Sequence, residues 1–156
     1  TSVLLAAALK IGAILGGAAP KDAELLYQLG IRMGLAFQLQ DDLLDVYGDP
    51  AVFGKKIGGD ILCNKKTFML ITALERANAE QKAELVDWIG KSEFVPEEKI
   101  KAVTAIYDEI GIASVCTEKI EELYAEGMTL LEQVELPDER KNNLREFAYR
   151  LMGRKL

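Results

Sequence analysis

The sequence predicts an all-α chain, a bundle of helices without a sheet. Three observations carry this. Leu, Ala, Glu, Lys and Ile dominate, and apolar residues recur at helical spacing. No strict period-2 alternation lasts six residues. Pro, Gly and Asn fall where helices start and stop.

The elements follow in order. A first helix is expected over about 2–16, ended by Gly16-Gly17. Pro20 opens a long second helix to about residue 47. Residues 48–63 contain Gly48, Gly54, Gly58 and Gly59 and read as a long loop, a kind of segment that is often functional. Asn64 is placed to cap a third helix, 65–77, and Asn78 a fourth, 79–90. Pro96 sits in the first turn of a fifth helix, 96–110. Gly111 breaks the chain before a sixth, about 112–134, and Pro137 opens the last, to about 152. No repeat, low-complexity tract or linker interrupts this, so residues 1–156 read as a single all-α unit.

Composition narrows the chemistry. Of 156 residues, 49% are hydrophobic and 28% charged, which is globular composition and excludes disorder or a disulfide scaffold. The formal charge of −6, with no basic patch, argues against nucleic acid as a partner. There is no histidine, so Ser-His-Asp and Cys-His catalysis and His-Cys zinc sites are excluded. Cys63 and Cys116 lack metal-ligand spacing and read as free thiols of a reducing cytoplasm. Residues 3–19 are almost wholly apolar. Lys10 stands in mid-run rather than before it, unlike a signal peptide. A membrane-spanning helix needs about 20 residues without a central charge. A buried helix of a soluble protein is expected instead. The chain opens directly on this run, so it is expected to begin at or inside a helix, with structure missing upstream.

The second helix carries Phe37-Gln38-Leu39-Gln40-Asp41-Asp42-Leu43-Leu44-Asp45. At about 100° per residue, with Asp41 at zero, Asp45 lies near 40°, Gln38 near 60° and Asp42 near 100°. Gly34 and Gly30 fall near 20° and 340° on the same scale and are expected to leave that surface open. Leu35, Leu39, Leu43, Leu44, Val46 and Tyr47 take the opposite, core-facing arc. Like carboxylates about 6 Å apart repel by about 2–3 kcal/mol at an effective dielectric near 20, and by tenths on a solvated face. No Lys or Arg stands three or four residues away on the helix. Acid pairs are common on wet helix faces, but Asp is a poor helix former and is not here for propensity. Clustered aspartates without His or Cys suit Mg²⁺. Gly54-Lys55-Lys56-Ile57-Gly58-Gly59-Asp60 and Asn64-Lys65-Lys66-Thr67 then bring positive charge, with glycines that let backbone approach a ligand. A helix starting at 65 would add N–H groups that favour an anion. Ordinary solvated lysines remain the plainer reading of these segments taken alone. No G-x-x-x-x-G-K-[ST] motif is present.

These residues carry a resemblance. Phe37-Gln38-x-x-Asp41-Asp42-x-x-Asp45, Gly48-Asp49, Gly54-Lys55, Gly58-Gly59-Asp60 and Lys65-Lys66-Thr67 resemble the trans-isoprenyl (polyprenyl) diphosphate synthase family. They are similar to its second aspartate-rich motif and the G-K-x-x-G-x-D and G-K-x-T segments after it. Thr1 resembles the Thr of the family's Lys-Thr pair. Two departures stand out. The family's first D-D-x-x-D motif, its following Arg and its upstream isopentenyl-diphosphate residues are absent, and Asn64 stands where the family usually has Gly.

The resemblance implies the C-terminal half of the isoprenoid synthase fold, with the N-terminal half absent. It implies a prenyltransferase of isoprenoid biosynthesis. Mg²⁺ and lysines stabilise the diphosphate leaving an allylic substrate, isopentenyl diphosphate attacks the cation, and the released diphosphate takes the proton. By the same carry-over Asp41 and Asp45 ligate Mg²⁺, and Asp42 is a ligand or orients Lys55. Lys55 and Lys65 contact the allylic diphosphate. Gln38 and Thr1 line the cationic region, and Phe37 contacts the prenyl tail. Asp60 orders the loop rather than ligating, and Arg154 and Lys155 resemble the family's basic C-terminus. The chain alone is expected to be inactive, and to form a homo-oligomer (a dimer) or associate with the missing N-terminal half. The alternative is a non-catalytic helical subunit or diphosphate-binding partner. A class I terpene cyclase is a weaker reading, because its Asn/Ser/Glu helix motif is not found. Trp88 reads as packing, Tyr107, Tyr124 and Tyr149 as core or interface, and Glu118, Glu121, Glu122 and Glu126 as a solvated face.

Overall fold

The structure is a computed structural model that describes residues 1–49 and 57–153. Its described residues form eight helices and no strand. They are α1 (Ser2–Leu15), α2 (Pro20–Tyr47), α3 (Gly59–Leu62), α4 (Phe68–Arg76), α5 (Ala79–Gly90), α6 (Pro96–Ile110), α7 (Ile112–Glu132) and α8 (Asp138–Met152). Pro96 stands in the first turn of α6 and Gly111 ends it in the left-handed region, as read from the sequence. Asn78 caps α5 with a full capping box, its side chain accepting from Gln81 N while Gln81 Oε1 accepts from Asn78 N.

Two expectations about boundaries are corrected. The segment 48–63 is not wholly loop, because α3 forms at Gly59. Asn64 does not cap a helix starting at 65. The next helix starts at Phe68, and its cap is Thr67, whose hydroxyl accepts from Leu70 N at 3.1 Å. Asn64 instead follows α3 with φ 53°. Asn64 N donates to Ile61 O and Lys65 N to Asp60 O. That is a Schellman ending, which needs a left-handed residue and takes Gly or Asn there.

The described residues divide into two compact units, residues 1–40 with 118–153, and residues 41–49 with 57–117. In the first, Leu26, Leu29 and Met33 of α2 bury against Leu131, Val134 and Ala148, with Leu5 and Leu9 of α1 packed on them. Here α1 lies close on α2. A Cβ at Gly30 would stand 2.4 Å from Ala6 Cα, and one at Gly34 2.4 Å from Ser2 Cα. The two glycines therefore do not leave an open surface; they let a second helix backbone approach. The expectation that α1 is buried fails on its other side, where Leu4 is 77% and Leu15 83% exposed and only Ala6 is buried. No helix among the described residues is long and apolar enough to cross a membrane.

In the second unit α3, α4 and α5 all pack on α6. Its core holds Leu43, Leu44, Val46, Ile61, Met69, Leu85, Val103, Ile106 and Tyr107. The core-facing arc read for α2 needs one correction: Leu35 is exposed, because α1 and the core take other faces of that helix. Tyr107 is core as expected, whereas Tyr149 on α8 is 73% exposed. Trp88 is half-buried with Lys91 Nζ 3.8 Å from its ring centroid.

Candidate functional site

The acidic end of α2 lies in the second unit and is not a wet patch. Asp42 is 5% exposed, and Asp41 and Asp45 are half-buried. The Schellman turn after α3 folds Lys65 back over that helix. Lys65 Nζ lies 2.9 Å from Asp42 Oδ1 and 2.7 Å from Asp60 Oδ2. Asp60 N in turn donates to Asp45 Oδ2 at 2.9 Å, and Gly58 N donates to Asp45 O. Three segments of sequence are thus tied together: the end of α2, the first turn of α3 and the turn before α4. Gly58 has φ 83° and Ile100 of α6 where a Cβ would go, so a side chain there is excluded twice over.

The electrostatics follow this geometry. The hydrogen bond that Lys65 donates to Asp60, against the opposing effect of burial, and then the one it donates to Asp42 hold its ammonium above the ordinary lysine range. The Asp45 carboxyl is raised, first by burial. The hydrogen bond from Asp60 N pulls the other way, while the charges of Asp60 and Asp41 add to the rise. The acids crowd one another, as expected, and part of the compensation comes from Lys65. Among the described residues, no three His, Cys, Asp or Glu converge as a ready metal group.

The expected site residues divide as follows. Asp41, Asp42, Asp45, Asp60 and Lys65 belong to the second unit, with Lys65 in contact with Asp42. Asp60 orders the turn, as read from the sequence. Thr1, Phe37 and Gln38 belong to the first unit, where Thr1 Oγ1 donates to Gln38 Oε1 at 3.4 Å. Lys55, with Gly54 and Lys56, lies outside the described residues, as do Arg154 and Lys155.

Sequence reading missed Lys99. It is 1% exposed, and its Nζ donates to Asn64 Oδ1 at 2.7 Å and sits 4.3 Å from the Phe94 ring centroid. Burial lowers its ammonium below the ordinary range. The signal was available: Lys99, Val103, Ile106 and Tyr107 share one helix face, and all four are buried.

Comparison with known proteins gives the family. The profile of the polyprenyl synthetase family matches residues 1–109. A short chain isoprenyl diphosphate synthase of Methanothermobacter thermautotrophicus is 39% identical over 111 residues, 71% of this chain and 33% of that protein. Human farnesyl pyrophosphate synthase is 40% identical over 107 residues, 69% of this chain and 25% of that protein. A solved geranylgeranyl pyrophosphate synthase superposes with a TM-score of 0.88 at 38% identity, over 100% of this chain and 49% of that one. The Corynebacterium glutamicum geranylgeranyl pyrophosphate synthase, solved with isoprenyl diphosphate and magnesium, gives 0.79 at 35% identity, over 92% of this chain and 41% of that one. This chain thus spans a third or less of the two curated relatives and under half of either solved chain. The aspartate-rich end of α2, the lysine turn folded onto it and these matches establish that the chain belongs to the trans-isoprenyl (polyprenyl) diphosphate synthase family.

Proposed function

We propose that this chain supplies the diphosphate-binding wall of a trans-prenyltransferase condensing isopentenyl diphosphate with an allylic diphosphate. The observation that carries this is Lys65 held 2.9 Å from Asp42 beside Asp45, a cation and a carboxylate cluster in one turn of structure. The donor set is oxygen only, and Asp45 is raised in part by Asp60 and Asp41, a crowding that a hard divalent cation relieves. The residues fit Mg²⁺, with Asp41, Asp42 and Asp45 as its holders. Bound there, Mg²⁺ would supply charge that stabilises a departing diphosphate.

The chain's own residues do the rest. Lys65 and Lys55 bind the diphosphate oxygens and fix the direction in which the leaving group departs. Asp60 keeps Lys65 protonated and aimed. Gln38 and Thr1 line the region of the developing allylic cation, and Phe37 contacts the prenyl tail. The place of action is a reducing cytoplasm, which fits two free cysteines. The exposed side of α1 seats further protein, either a second copy or more of the same polypeptide. Light scattering should then report particles larger than a monomer; a monodisperse monomer counts against it.

The test is calorimetric titration of inorganic pyrophosphate into the chain with and without Mg²⁺. Binding should require Mg²⁺ and vanish in the Asp41→Ala, Asp45→Ala double variant. Undiminished binding in that variant sinks the assignment. Turnover with an allylic diphosphate and isopentenyl diphosphate separates two outcomes. Product from the 156 residues alone overturns the expectation that this chain is inactive by itself. Binding without turnover leaves it as a binding wall that needs a partner.

A further inference from the structure

We infer that Lys99 is a positioning residue for Lys65, acting through Asn64. The inference rests on the reading of Lys65 as a diphosphate ligand. Lys99 is the largest fully buried side chain of the described residues and lies outside the acidic cluster. Its Nζ reaches Asn64 Oδ1 at 2.7 Å. Asn64 Nδ2 donates at 3.1 Å to the carbonyl of Ile89, in the last turn of α5. The Asn64 side chain is thus held from both ends, by α5 and by α6.

What it holds is a backbone conformation. Asn64 is the non-glycine residue with positive φ among the described residues, and L side chains resist that region. It occupies the left-handed position of the Schellman ending of α3, and Lys65 is the next residue. If Asn64 relaxed to an ordinary φ, the Lys65 N–H would leave Asp60 O, and Lys65 Nζ would leave Asp42 and Asp60. Glycine would need no such anchor, since it takes positive φ freely. Asn tolerates that region better than other L residues but less freely than glycine, and the contacts from Lys99 and to Ile89 O hold it there. An ion buried without such a duty is better replaced by an apolar side chain of similar volume. The adjoining cavity, lined by Asn64, Lys65, Trp88, Lys99 and Tyr107, measures about 20 Å³. It is far too small for a substrate, so Lys99 acts through Asn64 and not by direct contact.

The experiment measures Mg²⁺-dependent affinity for inorganic pyrophosphate in the full chain, with urea midpoints taken in parallel. Lys65→Met is the reference and should lose about tenfold or more, the scale of a lost charge-assisted contact. Lys99→Met should lose about three- to tenfold while remaining folded. Asn64→Gly should stay within about twofold of the starting affinity, because glycine keeps the turn, while its urea midpoint falls as Lys99 loses its acceptor. The double variant Asn64→Gly, Lys99→Met should return to within about twofold of the starting affinity, because glycine holds the turn unaided and no buried charge is stranded. A purely structural role would move the urea midpoint and leave the affinity of the folded protein alone. Unchanged affinity in Lys99→Met, with affinity lost in Lys65→Met, overturns the inference. Should Lys99→Met not fold, a loss of affinity in Asn64→Gly overturns it as well, as does a double variant that falls short of the starting affinity. Unchanged affinity in Lys65→Met overturns the underlying reading and the inference with it.

Discussion

Gly30→Ala tests the close approach of α1 to α2, and its sign is not the one helix propensity gives. In an ordinary helix interior the change is favourable by about 1 kcal/mol. Here the new Cβ would meet Ala6 Cα at 2.4 Å and Ala6 N at 2.8 Å. Carbon atoms rest about 3.5–4.0 Å apart, so α1 would have to retreat by more than about 1 Å. The obstructing atoms are backbone, and no rotamer change relieves them. Overpacking of this kind costs about 1–3 kcal/mol, and a rigid obstacle places it at the upper end. Retreat also loosens Leu5 and Leu9 from the core formed with Leu26, Leu29 and Met33. The net expectation is a loss of about 1–2 kcal/mol after the propensity gain is subtracted. Gly12→Ala is the control. It lies in the interior of α1, and a Cβ there meets nothing within 4 Å. It should gain about 0.5–1 kcal/mol. Urea unfolding followed by circular dichroism measures both, with equal slopes required before midpoints are compared. A midpoint for Gly30→Ala raised as far as that for Gly12→Ala would refute the reasoning.

Two further outcomes are expected. At pH 8 a thiol reagent should modify one cysteine of the native chain, Cys63, which is exposed, and the second only after unfolding. Cys116 is 0% exposed, and burial, with the charge of Asp42 adding, pushes its thiol up to about 12, so it stays protonated at that pH. Two fast equivalents from the folded chain would contradict this. Asn78→Ala should lower stability by about 1 kcal/mol, because it removes acceptors for Glu80 N and Gln81 N at the start of α5. An unchanged urea midpoint would mean that water replaces the cap without loss.

Much of the helix order is legible because its punctuation is local. Pro20, Asn78, Pro96 and Gly111 act within one turn of their own position, and the helices they bound fall where periodicity puts them. The misreadings lie where a residue answers to something distant. Gly30 and Gly34 share a helix face with the acids, but periodicity says only which face, not that α1 lies on it. Asn64 has the residue type of an N-cap, yet it ends α3, and its side chain meets Ile89 and Lys99, 25 and 35 residues further on. Two glycines at 58 and 59 look like loop, yet one takes positive φ and the other starts α3. Of the candidate site, the acids and Lys65 could be named from spacing alone. Their burial could not, and burial decides whether the acids repel by tenths of a kcal/mol or by several times that.

That difference leads to a consequence for Lys65 itself. Asp41, Asp42, Asp45 and Asp60 carry up to four negative charges, and Lys65 bridges two of them. Its side chain is 43% exposed, so the pair with the 21% exposed Asp60 is partly screened. Asp42 is different, because its side chain is 6% exposed and its charge has little water to fall back on. Lys65→Met should therefore lower stability by about 1–3 kcal/mol, chiefly through loss of the contact with the buried Asp42. A divalent cation offers the same carboxylates what the lysine gave them. Millimolar Mg²⁺ should accordingly raise the urea midpoint of Lys65→Met by more than it raises that of the unaltered chain. It should not restore pyrophosphate affinity, since the contact from Lys65 to the anion is still missing. The two readouts are expected to part: stability recovered, binding not. Equal Mg²⁺ effects in the two proteins would show that Lys65 is not a counter-charge of the acidic cluster, and the electrostatic account of this site would fail with it.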